Sequence, residues 1–297
     1  MLLVTGITGH TGRYFLQELV KNNYKDPIRC IVRKNSNVEL LKRSGLNIEI
    51  VVGDLNDENF TNEIMKDIHT VMHIYNIHHS PSIIQAGIAN KIKRAILVHT
   101  TGIYSKFKDA SIEYIKVESE VLELAKQNRL NLTILRPTMI YGDMCDHNMS
   151  KFIKMINKMK IYPLIDSGKG LIQPVNARDL GQAYYNVLMN PELTSNKQYN
   201  LSGDKPISIK VALSMISNKL NKKTLFIPVS LKLSSYAASG IKILSLGKID
   251  IVEKVLRMGE NRAYNHELAK KDFNFTPMDF EKGIEIEINE FKSLENK

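Results

Sequence analysis

The sequence predicts an α/β fold: a doubly wound parallel sheet with helices on both faces and a smaller C-terminal α+β lobe. Three observations carry this prediction. Six short apolar runs alternate with helical segments between residues 2 and 137, the pattern of βαβ units whose strands are buried on both faces. Three glycines, Gly6, Gly9 and Gly12, stand three apart directly after the first apolar run. After Gly142 the alternation is lost, and the remainder mixes helices, turns and short strands without a linker rich in Gly, Pro or Ser. The expected domains are therefore 1–142 and 143–297, the second packed onto the first, with some of its segments returning to the sheet.

Residues 2–5 form the first strand. In the helix after the glycine turn, Tyr14, Phe15, Leu16, Leu19 and Val20 recur at helical spacing. "IRCIVRK" is a second strand, and "NVELLKRSG" a short helix ending at Gly45, a C-terminal stop glycine. "NIEIVVGD" is a third strand, "ENFTNEIMKDI" a helix and "TVMHIYNI" a fourth strand. "SIIQAGIANKI" is helical and "RAILVHTTG" is a fifth strand. "IEYIKVESEVLELAKQN" is a long helix, and "LNLTILRP" a sixth strand stopped by Pro137.

Composition narrows the function classes. With 297 residues, 43% hydrophobic and 24% charged, the chain can bury a sizeable core and lies in the ordinary globular range. The net charge is +10, but the cations are scattered, usually beside acids, and the densest run is only Lys219, Lys222 and Lys223. No basic arm or aromatic-interleaved stripe appears, so no nucleic-acid partner is expected. A basic surface with a positive cleft that draws in an anionic ligand is expected instead.

The two cysteines, Cys30 and Cys145, have no CxxC or Cys/His ligand spacing, so neither a disulfide framework nor a metal site is expected. Cys30 sits in an apolar run and reads as core. Met1 stands at the edge of the first strand, which leaves no room for a leader. No apolar stretch reaches the roughly 20 residues of a membrane span. The nearest, "LSSYAASGIKILSLG", is interrupted by Lys242 and reads as a buried or amphipathic helix of the second lobe. A cytoplasmic protein without a membrane partner is the expectation.

The glycines carry the main functional signal. They read Gly6-Ile7-Thr8-Gly9-His10-Thr11-Gly12, a GxxGxxG variant of the dinucleotide-binding GxGxxG pattern. With a strand before and a helix after, such a turn lets a pyrophosphate approach the backbone at a helix N-terminus.

"VTGITGHTG" resembles the TGxxGxxG signature of the short-chain dehydrogenase/reductase superfamily, in its extended and atypical branches: the NAD(P)-dependent epimerase/dehydratase and NmrA-like families. The resemblance runs along nearly the whole chain, through "VVGDL", "LTILRPTMIYG", "QPVNARDLGQAYYNVL", "YNLSGDKPISIKVALSMIS" and "AKKDFNFTPMDFEKGIE". It implies a Rossmann-type sheet with a nicotinamide cofactor. Gly6, Thr8, Gly9, His10, Thr11 and Gly12 would hold the pyrophosphate, and Asp54 with Leu55 the adenine. Tyr75, Asn76, Pro137, Thr138 and Met139 would be further cofactor contacts. A helix N-cap is the alternative role for Asp54.

The end of the second strand decides between NAD and NADP: an acid bonds the ribose hydroxyls of NAD, and an Arg accommodates the 2′-phosphate of NADP. Here Arg33 and Lys34 stand in that place, and no acid comes before Glu39. NADP is expected, with NAD as the alternative.

The resemblance also implies a hydroxyl, Tyr-x-x-x-Lys catalytic set. Thr100 matches the hydroxyl residue, and Lys116 the lysine that lowers the tyrosine pKa and holds the nicotinamide ribose. Ile112 stands where the tyrosine belongs. Tyr114, about 200° from Lys116 around the helix, and Tyr104, in the preceding loop, are the substitute acid/base candidates. His73, His78, His79 and His147 rank lower, as structural or exposed residues. Asp143, Asp146 and Asp166 show no paired spacing, and Arg178 and Asp179 are expected to tie the second lobe to the sheet.

The resemblance implies an NAD(P)-binding oxidoreductase or an epimerase/dehydratase-like enzyme. Its substrate would be a small hydroxyl or carbonyl compound, a nucleotide sugar being one class. The alternative is a non-catalytic NADP(H)-binding sensor of the NmrA-like type, for which Ile112 argues. A third reading is a structural subunit that keeps a bound dinucleotide. A small-molecule substrate is the expected partner, and a homodimer is left open.

Overall fold

The computed structural model describes residues 1–245, 248 and 250–295, and the side chains of 108–110 lie outside the described set. The first half alternates strand and helix: β1 (Leu2–Thr5), α1 (Gly12–Lys21), β2 (Ile28–Val32), α2 (Glu39–Lys42), β3 (Ile48–Val52), α3 (Glu58–Glu63), β4 (Thr70–His73), α4 (Ser80–Ala89), β5 (Arg94–Val98), α5 (Lys108–Gln127) and β6 (Asn131–Pro137). The second half follows as β7 (Ile140–Tyr141), α6 (Met149–Lys158), β8 (Ile161–Ile165), β9 (Leu171–Ile172), β10 (Val175–Asn176), α7 (Ala177–Met189), α8 (Pro191–Thr194), β11 (Gln198–Leu201), β12 (Ile207–Ser208), α9 (Ile209–Lys219), β13 (Leu225–Val229), α10 (Leu231–Leu244), α11 (Val252–Leu256), α12 (Glu267–Phe273) and α13 (Phe280–Glu295).

Seven strands form one parallel sheet in the order β11-β6-β5-β4-β1-β2-β3. The order reverses between β1 and β4, the place where open α/β sheets bind their ligands. One core layer joins a sheet face to the apolar sides of α1, α7 and α12 through Phe15, Leu19, Leu180, Tyr184 and Phe273. The opposite face is covered by α3, α4 and α5 through residues such as Met65, Ile83 and Val121. A third cluster, with Tyr141, Met149, Ile153, Ile216 and Ile284, is the core of the second lobe.

The chain does return to the sheet: β11 joins the edge by pairing with β6, in register Gln198 to Ile134, and α7 packs on α1. The lobe itself carries only two-stranded ladders, β7 with β10, β8 with β13 and β9 with β12.

Local chemistry explains several boundaries. Asp57, not Asp54, caps α3, accepting from the Asn59 and Phe60 N–H groups. The N-cap alternative for Asp54 is thereby corrected. β4 stops at His73, short of the expected run to Ile77, because the Asn76 side chain caps a short 3₁₀ turn over Ile77–His79. Asn176, Ser208 and Ser230 cap α7, α9 and α10 in the same way. Arg178 donates to the Gly142 carbonyl, and Asp179 accepts from the Met278 N–H at 3.0 Å. This pair ties α7 to the lobe.

Glu287 of α13 is fully buried and accepts from the Gly142 N–H at 3.0 Å. Burial and the neighbouring Asp146 push its carboxyl up to about 10. A carboxyl whose folded pKa is raised stabilises the fold below its unfolded pKa and loses that contribution as pH climbs to the folded one. The window therefore runs from about pH 4.5 to about pH 10. Glu287→Gln should flatten the pH dependence of urea denaturation and make the protein more stable than wild type at pH 8, by at least about 1 kcal/mol. A variant with an unchanged pH profile would show that Glu287 is not held protonated.

Candidate active site

The glycine turn is built for a close approach. Gly6 has φ +75°, and a Cβ there would fall 2.8 Å from the Tyr75 nitrogen. A Cβ on Gly12 would fall 2.1 Å from the Gly6 carbonyl oxygen. Only glycine fits either place. The N-terminus of α1 that follows has no side-chain cap and no acid in its first turn. The Arg13 N–H donates to the Gly9 carbonyl at 3.1 Å, but the positive dipole end has no side-chain partner, so the turn suits a pyrophosphate.

Beside the turn is a cavity of about 160 Å3 lined by Thr5, Gly6, Thr8, Gly9, Ile31, Val32, Arg33, Ser36, Gly53, Asp54, Leu55 and Tyr75. The structure thus brings Gly6, Thr8, Gly9, Arg33, Asp54, Leu55 and Tyr75 together. The Arg33 guanidinium lies 6.0 Å from the centre of the Tyr75 ring, and Asp54 is braced by the Asn56 N–H and side-chain amide at 3.0 and 2.9 Å. Lys34 is exposed and does not line this cavity. Asn76 serves as the cap described above. Ser36 and Gly53 are additions that the glycine and Arg33 signals do not announce.

His10 and the start of α1 face the second lobe. The Asp143 carboxylate is paired with Arg13, accepts from the Tyr14 hydroxyl at 2.7 Å and lies 3.2 Å from His10 Nε2. Burial opposes its charge, yet the His10 and Tyr14 contacts hold it well below the usual carboxylate range. Asp143, which shows no acid/base pairing in the sequence, is a bolt between the glycine turn and the lobe.

A larger cleft of about 640 Å3 opens between the sheet and the lobe, with Thr100, Thr101, Gly102, Thr138 and Met139 along the sheet side. The lobe contributes His147, Lys151, Gln173, Lys254, Arg257, Glu260, Arg262 and Tyr264. The Arg257 and Arg262 Nε atoms are buried without a hydrogen-bond partner among the described residues. Burial, and then the charge of Arg257, lower the Arg262 pKa. Two cations held this close await an anion. Glu260 meets part of that need: its carboxylate lies 3.9 Å from Arg257 Nε, and it also accepts from the Lys106 N–H at 2.7 Å and from Ser105 Oγ at 3.1 Å. Pro137 takes part only through its carbonyl, which accepts from Thr101 at 3.2 Å.

Helix α5 turns a different face inward than the resemblance implies. Ile112 and Lys116 are exposed, whereas Tyr114 is half-buried and Glu118 buried. Tyr114 Cε2 and the Thr100 methyl lie 3.1 and 3.3 Å from one point, the place a Gly102 Cβ would take. The Tyr114 ring also packs 5.9 Å from the His78 ring. The inward pair is therefore Tyr114 and Glu118, and Lys116 lies on the exposed side of the helix. The physical reason is helix periodicity, since two residues amount to about 200° of rotation. The Tyr114 hydroxyl bonds to no described residue.

Glu118 is neutralised where it lies. Its carboxylate pairs with Arg136, whose Nε donates at 3.0 Å, and meets His99 Nδ1 at 3.0 Å. The far His99 nitrogen lies 3.2 Å from Ser80 Oγ. Although burial opposes it, the His99 and Arg136 contacts hold Glu118 below its ordinary value, and burial lowers His99. Arg136 Nη1 also donates to the Tyr104 hydroxyl at 3.1 Å, and that hydroxyl donates to Asn200 Oδ1 at 3.1 Å. Tyr104 is thus occupied. His73 is fully buried and paired with Thr5 Oγ1 at 2.7 Å. Its pKa is lowered to about 3 by burial. Among the described residues no group of His, Cys, Asp and Glu could hold a metal ion.

The family comparison agrees with the glycine turn: an NAD(P)H-binding family model matches residues 6–153. Residues 6–153 are an NAD(P)H-binding domain. Over its whole length the chain shares its fold with solved epimerase structures. The structure of gox2253 is 17% identical with a TM-score of 0.80, covering 99% of this chain and 98% of its own. A UDP-glucose 4-epimerase from Thermotoga maritima, solved with UDP-glucose, is 15% identical with a TM-score of 0.74, and 99% of each chain is covered. A UDP-glucuronic acid 4-epimerase from Bacillus cereus, solved with UDP-glucuronic acid and NAD, is 16% identical with a TM-score of 0.76, also over 99% of each chain. No curated protein sequence matches the chain.

Glu118→Gln tests the buried network. It removes the charge that Arg136 answers, and breaking such a pair costs about 3 kcal/mol. Guanidinium denaturation should show a loss of that order, and a loss below about 1 kcal/mol would mean that Arg136 finds other partners.

Proposed function

We propose that the chain is an NADP(H)-dependent enzyme of the oxidoreductase or epimerase/dehydratase type, acting on an anionic hydroxyl or carbonyl compound of the nucleotide-sugar class. The observation that carries the reading is the 640 Å3 cleft, where Thr100 on the sheet faces Lys151, Arg257 and Arg262 of the lobe. The cofactor's contribution is hydride exchange with the substrate carbon. Thr100 would orient the reacting oxygen, and Tyr114, beside it, would carry the proton. Arg257 and Arg262 would hold the substrate's phosphate groups by paired N–H donors.

Arg33 and Ser36 in the smaller cavity support NADP over NAD, since a guanidinium beside a hydroxyl suits a 2′-phosphate. The domain division at Gly142 fits this division of labour, with the cofactor on the sheet and the anion sites on the lobe.

One observation favours the second reading, a non-catalytic NADP(H)-binding sensor. Glu118 and not a lysine follows Tyr114 by four, so the helix itself puts no cation beside that hydroxyl. Purified protein should oxidise NADPH with at least one member of a panel of nucleotide sugars and carbonyl compounds. Tyr114→Phe should lower that rate by at least about 100-fold and Tyr104→Phe by far less. Tight NADPH binding without turnover across the panel would leave the sensor reading. Arg33→Ala should weaken NADPH binding by about tenfold or more and spare NADH, measured by fluorescence titration; equal losses would refute the phosphate assignment.

A further inference from the structure

Helix α10 is inverted with respect to the fold. Of its 14 residues only Ala238 is buried. Leu233, Tyr236, Ile243 and Leu244 are 62, 74, 74 and 87% exposed. At 100° per residue these four fall on one stripe, on the side away from Ala238. Ordinary surface helices do the reverse, turning the apolar stripe to the core. The strand just before it in the chain, β13, likewise exposes Leu225 and Ile227. A contiguous apolar face of this kind on a folded protein marks a contact.

The surrounding charge identifies the partner. From Lys205 to Val252 the sequence holds eight lysines and one acid, Asp250. That acid is already paired with Lys242 at 2.6 Å. Lys222, Lys223, Lys232 and Lys248 are exposed, and Lys232 lies on the helix itself, next to Leu233. Lys219 is likewise paired, with Glu281 and Glu285, but two copies meeting through this face would set Lys222, Lys223, Lys232 and Lys248 against one another, with Glu253 on the adjoining α11 the remaining acid nearby in sequence. An anionic layer would satisfy them all. The apolar side chains stand out from the surface, which suits insertion below headgroups better than the filling of a groove. Tyr236 has the amphipathic ring that favours a membrane–water boundary.

We propose that α10 docks this protein on an anionic lipid surface, lying in the plane of the interface with Leu233, Tyr236, Ile243 and Leu244 inserted and the neighbouring lysines on the headgroups. No described helix is long and apolar enough to cross a membrane, so the contact is peripheral. It departs from the expectation of no membrane partner. Helix α11 packs on α10 and supplies Lys254 to the large cleft, so docking would bring the rim of that cleft to the lipid surface.

The test is sedimentation of the full chain with phosphatidylcholine vesicles, with and without about 30% phosphatidylserine. The wild type should pellet with the anionic vesicles and stay in solution with the neutral ones, and added salt should release it. The double variant Leu233→Ser, Leu244→Ser and the single variant Lys232→Glu should each bind more weakly, the double variant by at least about tenfold. Unchanged circular dichroism and unchanged NADPH binding would show that they are folded. Three results would overturn the proposal: no enrichment on anionic vesicles, equal binding by the folded variants, or a wild-type dimer without vesicle binding that the double variant converts to monomer.

Discussion

The approach of Gly12 to the Gly6 carbonyl governs the architecture around the cofactor. With 2.1 Å between that oxygen and a Cβ on Gly12, α1 must begin directly against the end of β1. Its start is thereby placed at the switch point of the sheet, with its N–H groups uncapped. The same placement turns His10, Arg13 and Tyr14 outward to one carboxylate, Asp143, at the entrance to the second lobe. The phosphate cradle and the lobe junction are thus two faces of one turn of helix. A change that moved α1 would disturb both, because the packing of α7 on α1 also fastens the returning segment that leads to β11.

The second governing feature is a buried charge. A carboxylate at Glu118 is tolerable because a guanidinium, an imidazole and helix packing surround it, and the reward for such an arrangement is specificity more than stability. The network runs from Ser80 through His99, Glu118 and Arg136 to Tyr104 and Asn200. It therefore links α4, β5, α5, β6 and the sheet-edge strand β11. A lysine at 118 would confront Arg136 within the same small volume. Arg136 and Glu118 thus require each other, which couples α5 to the last residues of β6.

Most of the sheet was legible in the sequence because its parallel strands are short apolar runs set at regular intervals between helical segments. β11 was legible only through the resemblance of "YNLSGDKPISIKVALSMIS", because "QYNL" is half polar and pairs with β6 across some sixty residues of chain. The glycine turn and the small cavity beside it were readable as a local pattern, strand, glycine turn, helix and Arg33. The register of α5 was less so, since the role of Lys116 rests on the resemblance and not on a burial pattern. Residues 114, 118, 121 and 125 form the inward stripe, which the apolar Val121 and Ala125 could have signalled. The cations of the cleft come from 151 and from 254–262, stretches without periodic pattern whose convergence is purely tertiary.

The net charge of +10 takes on meaning once it is divided in space. Part of it lines cavities, the exposed Arg33 at one and the partly buried Arg257 and Arg262 at the other, where two Nε atoms have no hydrogen-bond acceptor among the described residues. There the charge is concentrated by low-dielectric walls and acts on small anions over a short range. Another part is spread over the surface around α10 and β13, where lysines are solvated and separated. Such a distribution gives little affinity for a single anion, because each exposed pair is weak and screened. It acts only on an object presenting many negative charges at once. The excess of lysine and arginine in the sequence therefore acts in two settings. The cavities combine arginines, whose planar donors can be aimed, with Lys151 and Lys254 of the large cleft, whereas the open face around α10 carries lysines as flexible point charges.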